Sequence, residues 1–360
     1  MREEHVRQCQ FAAWYEQFRD VTVESVVIPL AGRGVLPWLL QSDFTLSDEQ
    51  FPVTHTRDLY DALDPDSAFS PADLETSAGE TAGVPQDAME EIDAVIEALG
   101  GEVLPKLNWS SPRDATWMNP TGSMRCTSAS EVLVLLKSSD FVTNDLSMAY
   151  DGCEDVPEGE RALDENDATL VLRKWTKVEP SMEFRCFVSH DILMALCQRE
   201  CSQFFDFLSQ EQDHVKAKIA AFFNRHIKGN FATHSFVFDV FVSEDTVKLV
   251  DFNPFGRVTD ALLFSWEELF LWHLAMGSAT RGEGSGDGEE LGGGDILQQM
   301  PQMRIVQQQV LQPSLSSQYG VPLEEFDVTG EGGLEELIRL QKLQEASDAD
   351  EEEAEVRVNR

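Results

Sequence analysis

Cationic side chains are scarce in this chain: 27 lysines and arginines face 65 aspartates and glutamates, a net charge of −38 over 360 residues. That excess repels phosphate backbones and argues against direct nucleic-acid binding. No apolar run reaches the length that spans a bilayer, and Met1 to Glu4 is charged where a signal peptide needs its apolar core. The expected compartment is the cytosol, with the nucleus as the alternative. Six cysteines, at positions 9, 126, 153, 186, 197 and 201, lack the two-residue spacing of a zinc knuckle. Cys197 and Cys201 read as free thiols rather than a redox pair in that compartment. Also missing are a Gly-x4-Gly-Lys-Ser/Thr loop, a Gly-x-Gly-x-x-Gly turn after a strand, a kinase His-Arg-Asp set and a Gly-x-Ser-x-Gly elbow. P-loop, Rossmann, kinase and hydrolase readings fall with them.

What is present suffices for one large domain or two coupled lobes, since 42% of the residues are hydrophobic. The core is expected over residues 1–40 and 88–275. Between them, 42–87 reads as an acidic flexible linker, 277–295 as a glycine- and glutamate-rich insertion, 296–345 as a partly ordered C-terminal segment and 346–360 as an acidic disordered tail. The glycine tract has no Lys-Ser/Thr after it and is acidic, so it is no phosphate loop.

Met89, Ile92, Val95, Ile96 and Leu99 form a helical stripe stopped by Gly100 and Gly101, and a strand over 102–106 should follow. Ser128 with Glu131, and Ser209 with Gln212, have capping-box spacing ahead of two further helices. Runs rich in β-formers predict strands over 170–175, 183–188, 192–197, 236–242 and 247–252. The fold class is α/β (α+β), with mostly antiparallel sheets and flanking helices. The aromatic stripe Phe11, Trp14, Tyr15 and Phe18 reads as core rather than as a docking surface.

Chemistry concentrates where Asp239, Asp251 and Asn253 interrupt otherwise apolar strands. Alternation puts Asp251 and Asn253 on one face. Pairing Ser243 with Val247 would set Asp239 opposite Asp251, whereas a one-residue shift would turn it to the other face. Carboxylates held that close need a cation, and magnesium takes such hard oxygen donors together with substrate phosphates. The bland alternative is that the aspartates cap the turn or pair with Lys248 or an arginine.

Phosphates also need positive charge, which gives the few cations meaning. Lys106, Asn108 and Arg113 fall in a polar loop suited to an anion, and Arg173 and Lys174 end a strand before Trp175, which either covers an adenine face or packs in the core. Glu183 and Arg185 share one face of a strand, as an internal ion pair or as nucleotide contacts. Separate strands donating a lysine, further basic residues and metal-binding carboxylates are similar to the ATP-grasp arrangement.

At Glu4 to Tyr15, Pro105 to Asp114, Lys137 to Asp140, Leu172 to Trp175, Glu183 to Phe187 and Val250 to Gly256, the chain resembles, in the same order, the eukaryotic cell division cycle protein 123 family. The resemblance implies an ATP-grasp-like fold of two lobes that binds ATP and Mg. It also implies an assembly chaperone for the translation initiation factor that delivers initiator methionyl-tRNA, with that factor's gamma subunit as the partner; the expected working form is a monomer. Carried over by residue, Lys106, Arg173 and Lys174 match nucleotide-contacting positions, Glu183 and Arg185 lie in a matching strand, and Asp239, Asp251 and Asn253 match the metal ligands. An ATP-grasp ligase activating a carboxylate as an acyl phosphate is the alternative. Such ligases commonly carry an arginine shortly after the Asn-Pro pair, where this chain has Phe255-Gly256.

Overall fold

Elements follow the apolar periodicities through the residues that the computed structural model describes, 1–41, 84–119, 121–281 and 301–308. In chain order they are helices α1 (Glu3–Arg7) and α2 (Phe11–Phe18), strand β1 (Ser25–Pro29), helices α3 (Val35–Leu40) and α4 (Gln86–Ala98), strand β2 (Val103–Lys106), and helices α5 (Ala129–Lys137) and α6 (Asp140–Ser147). Strands β3 (Thr169–Lys174), β4 (Glu183–Ser189) and β5 (Ile192–Gln198), helix α7 (Asp206–Phe222), strands β6 (Phe236–Val242) and β7 (Val247–Pro254), helix α8 (Trp266–Arg281) and strand β8 (Gln302–Arg304) complete them. Local signals explain several ends. Gly100 and Gly101 take φ of 101° and 88°, a conformation that ends α4 and that side chains resist. At α5 the Ser128 hydroxyl accepts the Glu131 N–H, and the Glu131 carboxylate accepts the Thr127 N–H at 2.6 Å.

The strands form two sheets. A three-stranded antiparallel sheet runs β1-β3-β2, and a five-stranded sheet runs β7-β6-β4-β5-β8, antiparallel except for the parallel β5–β8 pairing. This is the mixed α/β architecture with mostly antiparallel sheets that the sequence predicts. Leu170 and Leu172 of β3 point into a core shared with helices α3 to α6, while Val171 points into the core of the larger sheet. That second core collects Phe236, Phe238, Val240 and Val242 from one face of β6, with the stripe Phe11, Trp14, Tyr15 and Phe18 and the inner face of α7. On the opposite face of the same sheet Phe187, Met194, Ala195 and Val237 pack beneath α8. No helix among the described residues is long and apolar enough to cross a membrane.

Several boundaries differ from the sequence reading. Val84 is already buried and α4 starts at Gln86, because the core needs Ala88 and Met89 as well as Ile92 and Ile96. Ser209 is no cap: α7 begins at Asp206, which brings Leu208 into the core, and the Gln212 side chain reaches the Met303 carbonyl instead. Helix α8 runs on to Arg281, and β8 returns from the segment beyond 295 to the edge of β5. Most of the expected linker and insertion, the remainder of the C-terminal segment and the tail lie outside the described residues.

Candidate functional site

Phe252 orients the residues on either side of it. Its ring is 1% exposed, stacks on Phe231 at 4.0 Å and lies 5.3 Å from Trp14 and 5.2 Å from Phe18. With Phe252 held in the core, strand alternation turns Asp251 and Asn253 to the other face. There they line a cavity of about 520 Å³ bounded by both sheets, with Leu104, Arg173 and Lys174 contributed by the smaller one and Glu183, Asp239, Phe241 and Lys248 by the larger.

Asp239 and Asp251 are Cα partners, by a different route from the pairing of Ser243 with Val247. The turn instead pairs Val242 with Val247, a register that on its own would carry Asp251 and Asn253 to the core face. A β-bulge opposite Asp239 and Val240 absorbs Val250 as an extra residue and resets the ladder. Leu249 and Phe252, three apart, can therefore both be buried. Thr22, itself buried, secures this edge by donating its hydroxyl to the Leu249 carbonyl at 2.8 Å.

Charge in the cavity runs against the charge of the chain. Arg113, Arg173, Lys174, Lys177, Arg199 and Lys248 line it, against Glu183, Asp239 and Asp251. The wall thus carries three more cations than carboxylates. Asp239, 2% exposed, accepts Arg185 Nε and Nη2 at 2.8 Å each and Arg199 Nε at 3.2 Å. Burial pushes its pKa up, but these arginines prevail and hold it well below the usual carboxylate range. Glu183 sits 3.5 Å from Arg199 and 3.8 Å from Arg113. Repulsion from Arg199 pushes the Arg113 guanidinium down.

Behind the wall, Lys106 is 1% exposed and donates to the Trp109 carbonyl and to Asp251 Oδ2. Burial lowers its pKa, and Asp251 works against that shift. Asp145, a residue the sequence reading passed over, holds the same loop: its Oδ2 accepts the N–H groups of Trp109 at 3.2 Å and Ser110 at 2.7 Å, and its Oδ1 accepts the Ser110 hydroxyl at 2.8 Å. Burial pushes Asp145 up to about 6.

Of the residues singled out in the sequence, Arg113, Arg173, Lys174, Trp175, Glu183, Asp239, Asp251 and Asn253 meet at the cavity. Trp175 is half-buried there, with its N–H donated to the Glu102 carbonyl at 2.9 Å. Three others stand apart from the wall. Lys106 lies behind Asp251. Arg185 is an internal partner of Asp239 and donates its remaining Nη1 to the Asp260 carbonyl at 2.8 Å. Asn108 has both ends of its amide engaged, the nitrogen donating to the Asp167 carbonyl at 2.7 Å and the oxygen accepting the Thr169 N–H at 2.9 Å, so it braces β3. No local sequence signal marks Arg199 or Lys177, which fall just beyond a strand and in a loop. Only the pairing of β5 with β4 brings Arg199 to Asp239.

Two buried donors at this wall have no partner among the described residues, Arg173 Nε and Asn253 Nδ2. Arg173 is 7% exposed and lies over the Phe11 ring, and burial lowers its pKa. A buried cation with an unmade hydrogen bond suits an incoming anion. Turning the Asn253 amide by half a revolution would present its oxygen in place of the nitrogen. Two facing carboxylates and an amide oxygen then match magnesium, which takes one or two carboxylates and leaves other positions to water and phosphate. Among the described residues no group of three or more His, Cys, Asp or Glu is arranged to hold a metal by itself.

Fold and site together define a two-sheet α/β protein with a cationic cleft bearing paired carboxylates. A family model described as D123 matches residues 14–329, and the chain belongs to that family. It is 36% identical over 360 residues to the translation initiation factor eIF2 assembly protein of Xenopus tropicalis, covering 97% of this chain and 100% of that one. The protein of the same name from Dictyostelium discoideum is 38% identical over 305 residues, covering 74% and 76% respectively. The solved structure of C-terminally truncated Cdc123 from Schizosaccharomyces pombe superposes with a TM-score of 0.64 at 32% identity, covering 86% of this chain and 99% of that one. The family resemblance drawn from the sequence motifs is therefore correct.

Proposed function

We propose that this chain binds Mg-ATP in the cleft between its two sheets, in the manner of ATP-grasp proteins, and acts as a cytoplasmic, monomeric assembly factor for eIF2 that engages the gamma subunit. The observation that carries the nucleotide reading is the inverted charge of the cleft: a chain with net charge −38 lines one cavity with six cations against three carboxylates, and the buried Arg173 Nε has no partner among the described residues. The assembly role is supported by the relatives named as eIF2 assembly proteins, which align over nearly the whole chain.

In this reading Asp251 and Asn253, with Asp239 opposite, would hold a magnesium ion, which would supply positive charge against the triphosphate. Arg173 and Lys174 bind phosphate oxygens, and Trp175 covers the base. Arg185 keeps Asp239 ionised and oriented. A ligand that binds only the folded state stabilises it by linkage, about 2.7 kcal/mol at a hundred times its dissociation constant, without turnover. ATP then favours the conformation that grips the partner.

The test pairs titration calorimetry of Mg-ATP with reconstitution of the eIF2 heterotrimer from its separate subunits. Wild type should bind the nucleotide and raise the yield of trimer, and Asp251→Ala should do neither. Full binding by Asp251→Ala would remove the metal assignment. A wild-type protein that binds no nucleotide yet still promotes assembly would remove the ATP reading and keep the partner.

A further inference from the structure

Asp145 occupies a position where α6 would otherwise bury an apolar side chain. Its neighbours on the inward face are Val142 and Leu146, and it is 6% exposed itself. Burying a carboxylate is costly unless its oxygens are well supplied with donors. Among the described residues, the donors it receives come from one place, the backbone of Trp109 and Ser110 and the Ser110 hydroxyl, at 2.7 to 3.2 Å.

That loop connects to the cavity in two ways. Trp109, Ser110 and Ser111 are themselves part of the wall. In addition, the Trp109 carbonyl is one of two acceptors that seat the buried Lys106 ammonium, the other being Asp251. Moving the Trp109 peptide therefore moves a rim of the cavity and a support of Asp251 together. The loop has further supports: within it the Leu107 N–H donates to the Ser110 carbonyl at 2.8 Å, and the Trp109 indole donates to the Val6 carbonyl at 2.9 Å.

We propose that Asp145 is a positioning residue for the nucleotide site, setting the Trp109–Ser110 backbone so that the cavity rim and the Lys106–Asp251 pair stand ready for Mg-ATP. This rests on the reading of the cleft as a nucleotide site. The role is geometric. An asparagine can reproduce it, with its oxygen accepting the Trp109 and Ser110 N–H groups and its nitrogen donating to the Ser110 hydroxyl, which can act as an acceptor. Alanine cannot.

The experiment compares Asp145→Ala, Asp145→Asn and wild type in the full chain, by calorimetry with Mg-ATP and by amide hydrogen exchange without ligand. Asp145→Ala should weaken Mg-ATP binding at least tenfold and speed exchange at Trp109 and Ser110 by a similar factor, leaving the β6 and β7 amides unchanged. Asp145→Asn should stay within about twofold of wild type in both. If Asp145→Ala does not fold, Asp145→Ser replaces it, with the same expected losses. Wild-type affinity in the folded alanine or serine variant would reduce Asp145 to a brace for folding and overturn the proposal. Equal losses in the alanine and asparagine variants would overturn it as well, by making charge the cause. A wild type that binds no Mg-ATP overturns the nucleotide reading itself, and the proposal falls with it.

Discussion

Asp239 and Asp251 face one another across the β6–β7 ladder because Val250 is absorbed as a bulge between them and the turn. Each carboxylate meets a different counter-charge. Asp239 is gripped by Arg185 and Arg199, and Asp251 is held by Lys106. Each of the facing acids thus has its own counter-charge, which offsets the repulsion between them.

The two ends of the Lys106–Asp251 pair differ in exposure, 2% against 17% for the side chains. Removing the carboxylate strands a buried ammonium, whereas removing the ammonium leaves a carboxylate open to the cavity. Asp251→Ala should therefore cost about 3–5 kcal/mol of folding stability, and Lys106→Met clearly less. Urea denaturation of both variants without nucleotide checks the order, and an equal or reversed cost would show that the pair is not what holds this corner.

The depressed pKa of Asp239 fixes the sign of an acid dependence. Its folded value lies below the unfolded one, near 3.9, so its contribution is complete above that value and is lost as the pH falls through it toward the folded pKa. Asp239→Asn should be less stable than wild type at pH 7 and should approach it as the pH drops below about 4. Thermal melts from pH 7 to pH 2 measure the gap, and a gap independent of pH would contradict the ion-pair account.

Asp145 has the opposite sign. Burial raises it to about 6, so the protonated form is favoured by folding and stability from this group is lost as the pH rises through 6. Asp145→Asn should gain on wild type between pH 4 and pH 7, by roughly 2–3 kcal/mol. Parallel melting curves of the two proteins across that range would count against it.

Arg173 tests the anion. Its Nε, buried and without a partner among the described residues, leaves it a hydrogen bond to make at the cavity wall. Hydrogen bonds to charged groups contribute about 1.5–3 kcal/mol, so Arg173→Ala should weaken Mg-ATP binding by roughly tenfold to a hundredfold. Competition with a fluorescent ATP analogue measures this, and unchanged affinity would move the phosphates elsewhere in the cavity.

Much of this protein could be read along the chain. Alternation in Phe236–Val242 and Val247–Pro254, the stripe of α4 with its Gly100-Gly101 stop and the Ser128–Glu131 cap are local signals, each carried by a few neighbouring residues. The scarcity of cations made those that fall beside polar or strand-ending positions, such as Arg113, Arg173 and Lys174, worth following. Family motifs then tied these segments to one another in order.

Contacts between distant segments stayed out of reach. That the turn pairs Val242 with Val247 and a bulge corrects the register depends on burying both Leu249 and Phe252, and only the assembled core imposes that choice. Whether Lys106 points to solvent, to the cavity or to Asp251 is a matter of 145 positions of separation. Arg199 and Asp145 reach the site only through strand pairing and helix packing. Sequence by itself determined the residue types, the faces they share and the charge they bring. Tertiary structure decided which charges meet, because register and burial are properties of the whole core rather than of any one segment.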